Sequence, residues 1–186
     1  MKGIGIIPAR AGSKRLKNKN LLTINGVSLT MIAYDILCMT GLDRVIVATD
    51  IDKIYGKLNE ESRLWRPYEL NNDQIPVQEV IKWAYMEIDE YYKYDYIVVL
   101  LPNCPGITSM DIQEAIDMMF EHSLNLVRSY DTNGVENGLL VARRDYYMAH
   151  WVDTYVGGIV TKAMEIHTED DYKIVKGVLE KHIKDL

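Results

Sequence analysis

Apolar residues along this chain follow two rhythms. Some runs are continuous: Ile4 to Ala9 at the start, and Ile97, Val98, Val99, Leu100 and Leu101 near the middle. Unbroken apolar runs of this length predict strands covered on both faces, as in a parallel sheet sandwiched by helices. Strands are expected at 2–8, 44–49 and 94–101, and further ones at 124–129, 139–143 and 158–166. Elsewhere the apolar positions recur with helical spacing. Val77, Val80, Ile81, Ala84 and Ile88 mark one face of a helix over 76–92, with Pro76 in the first turn, where its missing N–H costs little. Ile112, Ala115, Ile116 and Met119 mark another over 109–121. Helices are also expected at 28–40, closed by Gly41, and at 51–59. Thr168 caps a final one, with Asp171 three positions on able to return the bond. Alternating strands and helices predict an α/β protein, layered α/β/α around a mostly parallel sheet. Nothing marks an internal boundary, so residues 1–186 are expected to form a single domain, long enough to close a core without disulfides.

Composition narrows the class. With 48% hydrophobic and 26% charged residues the chain is an ordinary globular one. No apolar run approaches the roughly 20 residues of a membrane span, and the first is too short for a secretory signal, so a cytoplasmic protein without a membrane partner is expected. Two cysteines, Cys38 and Cys104, do not make a disulfide framework, and reduced thiols are expected. The net charge of -6 argues against a general nucleic-acid binder. Its distribution says more. Residues 1–34 carry no acid but six cations, Lys2, Arg10, Lys14, Arg15, Lys17 and Lys19, while the other 152 residues carry 15 basic and 27 acidic groups. A local cationic pocket on an acidic protein suits a small polyanion.

Five of those cations fall within ten residues of the first strand's exit. Ligands of open α/β sheets sit beyond the carboxyl ends of strands. Gly12 permits close backbone approach, Ser13 offers a hydroxyl, and Arg10, Lys14 and Lys19 can neutralise phosphate oxygens, Arg10 two at a time. The loop is not a Walker A sequence, and Gly3-Ile4-Gly5 fails the dinucleotide fingerprint because Pro8 stands where its last glycine belongs. A triphosphate cradle and a merely solvated basic loop are the two readings of this segment.

Positions 7 to 21 read I-P-A-R-A-G-S-K-R-L-K-N-K-N-L. That segment resembles the opening of the acylneuraminate cytidylyltransferase family, the CMP-sialic acid synthetase type. Val45-Ile46-Val47-Ala48-Thr49-Asp50 and Arg66-Pro67-Tyr68-Glu69-Leu70-Asn71-Asn72-Asp73 are similar to two further motifs of the family, and Asp111-Ile112-Gln113-Glu114-Ala115-Ile116 to a helix of it. Kdo cytidylyltransferases share the I-P-A-R opening, but Lys19-Asn20 favours the sialic branch. The resemblance covers residues 2 to 120 and implies a nucleotide-diphospho-sugar transferase-like fold. It implies attack of an acidic sugar's hydroxyl on the α-phosphorus of CTP, with a divalent metal, Mg or Mn, and loss of pyrophosphate. It also implies that Arg10, Gly12, Ser13, Lys14 and Lys19 hold the triphosphate, Arg10 and Lys19 as the catalytic pair, and that Asn20 and Arg66 help to read the base. Arg66 also reads as one half of a surface pair with Glu69. Cys104 needs no catalytic role and reads as a small residue packed in a turn.

The departures from the family are as specific. Leu101 replaces a polar glutamine expected to face the sugar, and Ile107 an arginine. The metal-binding D-I-D-T-x-x-D appears as Glu165-Ile166-His167-Thr168-Glu169-Asp170-Asp171, so the expected metal ligands are Glu165 and His167, on one face of a strand. His167 also reads as a plain strand-end residue before a helix cap. The interval from Asp131 to Asn137-Gly138 is much shorter than in the family, where it carries sugar contacts and a dimerisation arm. A homodimer of the usual kind is therefore in question. Two functions remain open at this point: a compact cytidylyltransferase, and a degenerate relative that binds nucleotide as a regulatory or partner-binding module.

Overall fold

The computed structural model describes residues 1–72, 74–88, 94–149 and 155–182. Its strands are β1 (Gly3–Ala9), β2 (Thr23–Ile24), β3 (Val27–Ser28), β4 (Arg44–Thr49), β5 (Arg63–Trp65), β6 (Tyr96–Leu100), β7 (Leu126–Tyr130), β8 (Glu136–Arg143) and β9 (Val156–Val160). Its helices are α1 (Leu29–Cys38), α2 (Asp52–Tyr55), α3 (Val77–Ile88), α4 (Ser109–Glu121), α5 (Arg144–Met148) and α6 (Glu169–His182). Seven strands form one sheet in the order β5-β4-β1-β6-β8-β7-β9. β1 pairs in parallel with β4 and β6, β4 with β5, and β7 with β9; β8 alone runs against its neighbours. The expected mostly parallel α/β/α architecture is what the chain adopts.

The continuous apolar runs are explained by two cores. Ile7, Ala9, Val45, Val47, Val98 and Leu100 face α1, α2 and α4, while Ile4, Ile6, Ile46, Ala48, Ile97 and Val99 face α3 and α5. Each strand gives alternate residues to each side, so both sets must be apolar. Full burial of each of these isoleucine, valine and leucine side chains contributes about 1.5–3 kcal/mol. Thr168 and Asp171 exchange a reciprocal pair of bonds before α6, as the sequence predicts, and Thr108 caps α4 in the same kind of box with Asp111, which the sequence reading did not pick out. Among the described residues no helix is long and apolar enough to cross a membrane.

Several boundaries differ from the sequence reading. The helix expected at 51–59 lasts only from Asp52 to Tyr55 and closes at Gly56. The one expected at 76–92 ends its described part at Ile88; its last four residues lie outside the described residues. The strand expected at 158–166 stops at Val160. β7 ends there too: the Thr161 N–H reaches the Tyr130 carbonyl, and beyond it the Asn137 side chain, not a strand, partners the segment. β8 begins at Glu136 rather than at 139, because Asp131 closes a tight turn by accepting the N–H groups of Asn133 (2.8 Å) and Val135 (2.9 Å). That turn stands where the resemblance puts a long arm. Periodicity also passed over the three-residue β5, the short α5, and the β2–β3 hairpin, which is turned by Asn25-Gly26 with both residues at positive φ.

A third, smaller core holds α6 against the start of the chain: Leu16, Ile24, Leu29, Ile166 and Val175 are buried together. The Tyr172 hydroxyl adds a bond to the Thr23 carbonyl at 2.6 Å.

At Gly138 a Cβ would lie 2.4 Å from the Cβ of Cys104, with the Leu101 carbonyl 3.5 Å away. Gly138→Ala is expected to overpack this corner and lower unfolding free energy by about 1–3 kcal/mol. Urea denaturation that returned the parent's midpoint would contradict this packing.

Candidate functional site

β1, β4, β5 and β6 run in one direction, so residues 10, 50, 66 and 101 all leave the same edge of the sheet. The loop from Arg10 to Asn20 lies on this edge and is tied down at several points. The Asp50 carboxylate accepts the Ala11 N–H at 2.6 Å. Asn20 donates its side-chain N–H to the Arg10 carbonyl at 2.9 Å, and the Asn20 carbonyl accepts the Thr30 hydroxyl at 3.0 Å. Leu16 is buried in the small core under α6. Gly12 and Asn18 turn the loop at positive φ, a conformation that glycine and asparagine adopt most readily. The loop is therefore an anchored element, not a splayed one.

The anchoring puts the expected residues around one opening. Arg10, Ser13, Lys19, Asn20 and Arg66 line a cleft of about 230 Å³, whose far wall includes Asn72, Leu101 and Asn103. Arg10, Ser13, Lys14, Arg15 and Lys19 surround an adjoining space together with His167. Gly12 and Lys14 face a third opening across the loop, beside Asp50 and Tyr68. The Arg10 guanidinium bends back to the Gly12 carbonyl at 3.5 Å. Arg66 is 4% exposed and donates through Nε and an Nη to the Leu70 carbonyl; the surface pairing with Glu69 is not what holds it. Asp73, at the end of that motif, lies outside the described residues.

Electrostatics single out two groups. Burial holds the Lys19 ammonium below the usual lysine range; Glu165 pulls it back up, and Arg15 and Arg10 push it further down. Burial likewise lowers Arg66, with Asp50 opposing and Arg10 reinforcing the shift. Buried or partly buried cations crowded in this way are relieved by an anion. Cys104 is buried, its thiol pushed up to about 12 mainly by desolvation, so it packs rather than reacts.

Glu165 and His167 meet, Oε2 to Nε2, at 2.7 Å, with His167 on the space ringed by Arg10, Ser13, Lys14, Arg15 and Lys19. They lie not in a strand but in the irregular stretch that follows β9. Among the described residues no three or more His, Cys, Asp or Glu side chains gather in a cluster that could hold a metal. The pair offers two donors and no more.

The sequence reading missed three residues that build the site. Asp50, directly after buried β4, anchors the loop. Asn103 accepts the Ile166 N–H at 2.7 Å through its carbonyl. Asn137 is buried and donates to Thr161 Oγ1 (3.0 Å) and the Ala163 carbonyl (2.9 Å) while accepting from Ser129 at 2.5 Å. Only Asp50 had a signal, its place at the end of a strand parallel to β1.

An open, mostly parallel sheet with an anchored cationic loop at its carboxyl edge is the arrangement in which α/β proteins hold their ligands. Residues 4–172 match the cytidylyltransferase family, and the chain belongs to it. It is 37% identical over 121 residues to the N-acylneuraminate cytidylyltransferase of Escherichia coli, covering 62% of this chain and 27% of that protein. It is 30% identical over 151 residues to the enzyme of the same name from Streptococcus agalactiae, covering 78% and 36%. The chain thus spans about a third or less of the length of these two relatives. Its fold matches that of a CMP:2-keto-3-deoxy-manno-octonic acid synthetase solved with CTP, at a TM-score of 0.78 and 16% identity, over 98% of this chain and 100% of the other.

Two outcomes follow from the loop. Asp50→Ala is expected to weaken triphosphate binding about tenfold, the worth of a hydrogen bond to a charged group, while Asp50→Asn, which keeps the acceptor, stays near the parent in calorimetric titration. Because Lys19 must be protonated to hold phosphate, and its pKa in the free protein is lowered, affinity should fall with rising pH earlier than an ordinary lysine allows. Lys19→Arg should flatten that fall; a parent titration flat to the ordinary lysine range would exclude it.

Proposed function

We propose that this chain transfers CMP from CTP to the hydroxyl of an acidic sugar, releasing pyrophosphate. The observation that carries this is the anchored basic loop, which opens on the same cleft as Asn20 and Arg66. Membership of the cytidylyltransferase family and the names of the two curated relatives support the acceptor class.

The triphosphate lies along Arg10, Gly12, Ser13, Lys14 and Lys19, with the base in the cleft beside Arg66. One Asn20 side-chain N–H is donated to the Arg10 carbonyl and fixes where Arg10 leaves the strand, while the rest of the amide faces the base in the cleft. The acceptor hydroxyl attacks the α-phosphorus. The new O–P bond forms as the bond to the pyrophosphate oxygen breaks, and the hydroxyl proton passes to solvent. Negative charge accumulates on the leaving pyrophosphate, and Lys19 and Arg10, already placed and partly desolvated, neutralise it without rearrangement. No covalent nucleophile takes part.

Glu165 and His167 fit a divalent cation that arrives with the nucleotide, since two protein donors leave the remaining positions to phosphate oxygens and water. Such an ion, when bound, supplies Lewis-acid stabilisation of phosphate charge. An imidazole donor suits manganese better than magnesium, which prefers oxygen. The second reading, a nucleotide-binding module without turnover, is favoured by the direct bond between Glu165 and His167 and by the short turn at 131–135.

CTP is expected to raise the apparent melting temperature more than UTP, GTP, ATP or dTTP, with magnesium or manganese present. Pyrophosphate release with an acidic sugar should fall about a hundredfold or more in Lys19→Ala. A CTP-selective shift with no pyrophosphate from any acid would favour the second reading. His167→Ala should change which divalent ion supports release; an unchanged metal dependence would remove His167 from the site.

A further inference from the structure

Helix α6 packs on the described residues along one side. Val175 is buried in the small core, Tyr172 and Leu179 pack against it, and the Glu180 carboxylate accepts the Asn25 N–H at 3.4 Å. The opposite side carries Asp170, Ile174, Gly177 and Lys181, spaced four, three and four residues apart, with Val178 beside them. That spacing sets them in one row, as in the seam of two paired helices. Ile174 is 58% exposed and Val178 52%, in an otherwise strongly charged helix. Gly177 is the least expected residue of the row. A glycine inside a helix weakens it relative to alanine. Yet the chain's own fold makes no use of this one: its φ is not positive, and a Cβ there would meet no atom of the described residues within 4 Å. What a bare backbone at this position serves is the approach of something from outside.

We propose that this row is the contact between two copies of the chain, α6 of one packed antiparallel on α6 of the other about a twofold axis between Val175 and Lys176. In that arrangement the row is its own complement. Residues placed symmetrically about the axis face each other, so Asp170 of each copy meets Lys181 of the other, once at either end. Ile174 meets Gly177, whose missing side chain lets the helix axes approach to about 8 Å, the short end of the usual spacing. Val178 packs along the stem of Lys173. The charges fix the direction, because a parallel pair would set Asp170 against Asp170 and Lys181 against Lys181. This self-matching identifies the occupant as a second copy. Asp170 bonds Lys173 at 3.3 Å within the chain, but both are largely exposed, and such a pair costs little to exchange. One 14-residue helix from each copy makes a small contact, below about 1,200 Å² in total, so the dimer is weak and reversible. The surface belongs to a different element from the β7–β8 turn, where the resemblance puts a dimerisation arm.

Sedimentation equilibrium of the full chain at low salt should show monomer and dimer with a dissociation constant below about 1 mM, weakening as salt is raised. Gly177→Gln, which adds bulk to the row without charge, should weaken association at least about tenfold while its melting midpoint equals or exceeds the parent's. A residue needed by the chain's own fold would lower that midpoint instead. Asp170→Lys and Lys181→Asp should each weaken self-association about tenfold. Mixing these two single variants should restore a dimer, since every facing pair is then of opposite charge, and so should combining both substitutions in one chain. Melting midpoints of the charge variants report whether each has folded, and should Gly177→Gln fail to fold, the mixture decides. A chain that stays monomeric up to about 1 mM, the limit set above, would overturn the proposal. So would a dimer that folded Gly177→Gln leaves intact, one that the charge variants do not weaken, or one that neither mixing nor combining them restores.

Discussion

The site exists because a strongly cationic loop is held still against its own repulsion. Five positive side chains fall between Arg10 and Lys19, with no acid before Asp35 to relieve them. A chain so charged would spread into water unless the fold gave it fixed points. Asp50 supplies one by taking the Ala11 N–H, Leu16 supplies another by entering a core, and Asn20 closes the loop on its own beginning. Each anchor comes from a different part of the molecule, so the loop's shape is a property of the whole fold. The cost remains visible in Lys19, whose charged form is disfavoured in the free protein and favoured once an anion arrives.

Those anchors require the parallel arrangement. β1, β4 and β6 are apolar on both faces and can sit only in the middle of a covered sheet, which fixes their shared direction and brings their carboxyl ends to one edge. Asp50 reaches Ala11 because Ala9 pairs with Thr49. A one-residue slip in that register would turn Ile4 and Ile6 towards the wrong core and remove Asp50 from the loop at the same time. Core packing and ligand geometry therefore constrain each other through the same pairs of residues.

What the sequence disclosed follows from this. Strands such as β1, β4 and β6 were legible because their burial is written in consecutive residues, and the capped start of α6 because a capping box spans four positions. Arg10, Ser13 and Lys19 were legible because the loop is contiguous. The end of β9 was not: whether residues 161–166 continue a strand depends on β7 stopping at Tyr130, and on Asn137 taking over as partner. Asn103 and Asn137 were missed for the same reason. Apart from Ser129, eight positions before Asn137, their partners lie 24 to 63 positions away, and no local pattern distinguishes a buried asparagine from one in an exposed turn.

Asn137 also shows how the two halves of the site are joined. Its side chain ties the β7–β8 corner to Thr161 and Ala163, Asn103 holds Ile166, and the exchange between Thr168 and Asp171 starts α6, whose Val175 packs over Leu16. Glu165 and His167 ride on this segment beside the basic loop. A shift of the segment moves the carboxylate that raises Lys19, the imidazole facing the basic loop, and the core under the loop together. The segment's irregular backbone is fixed by buried hydrogen bonds, where the absence of a strand would otherwise leave it loose.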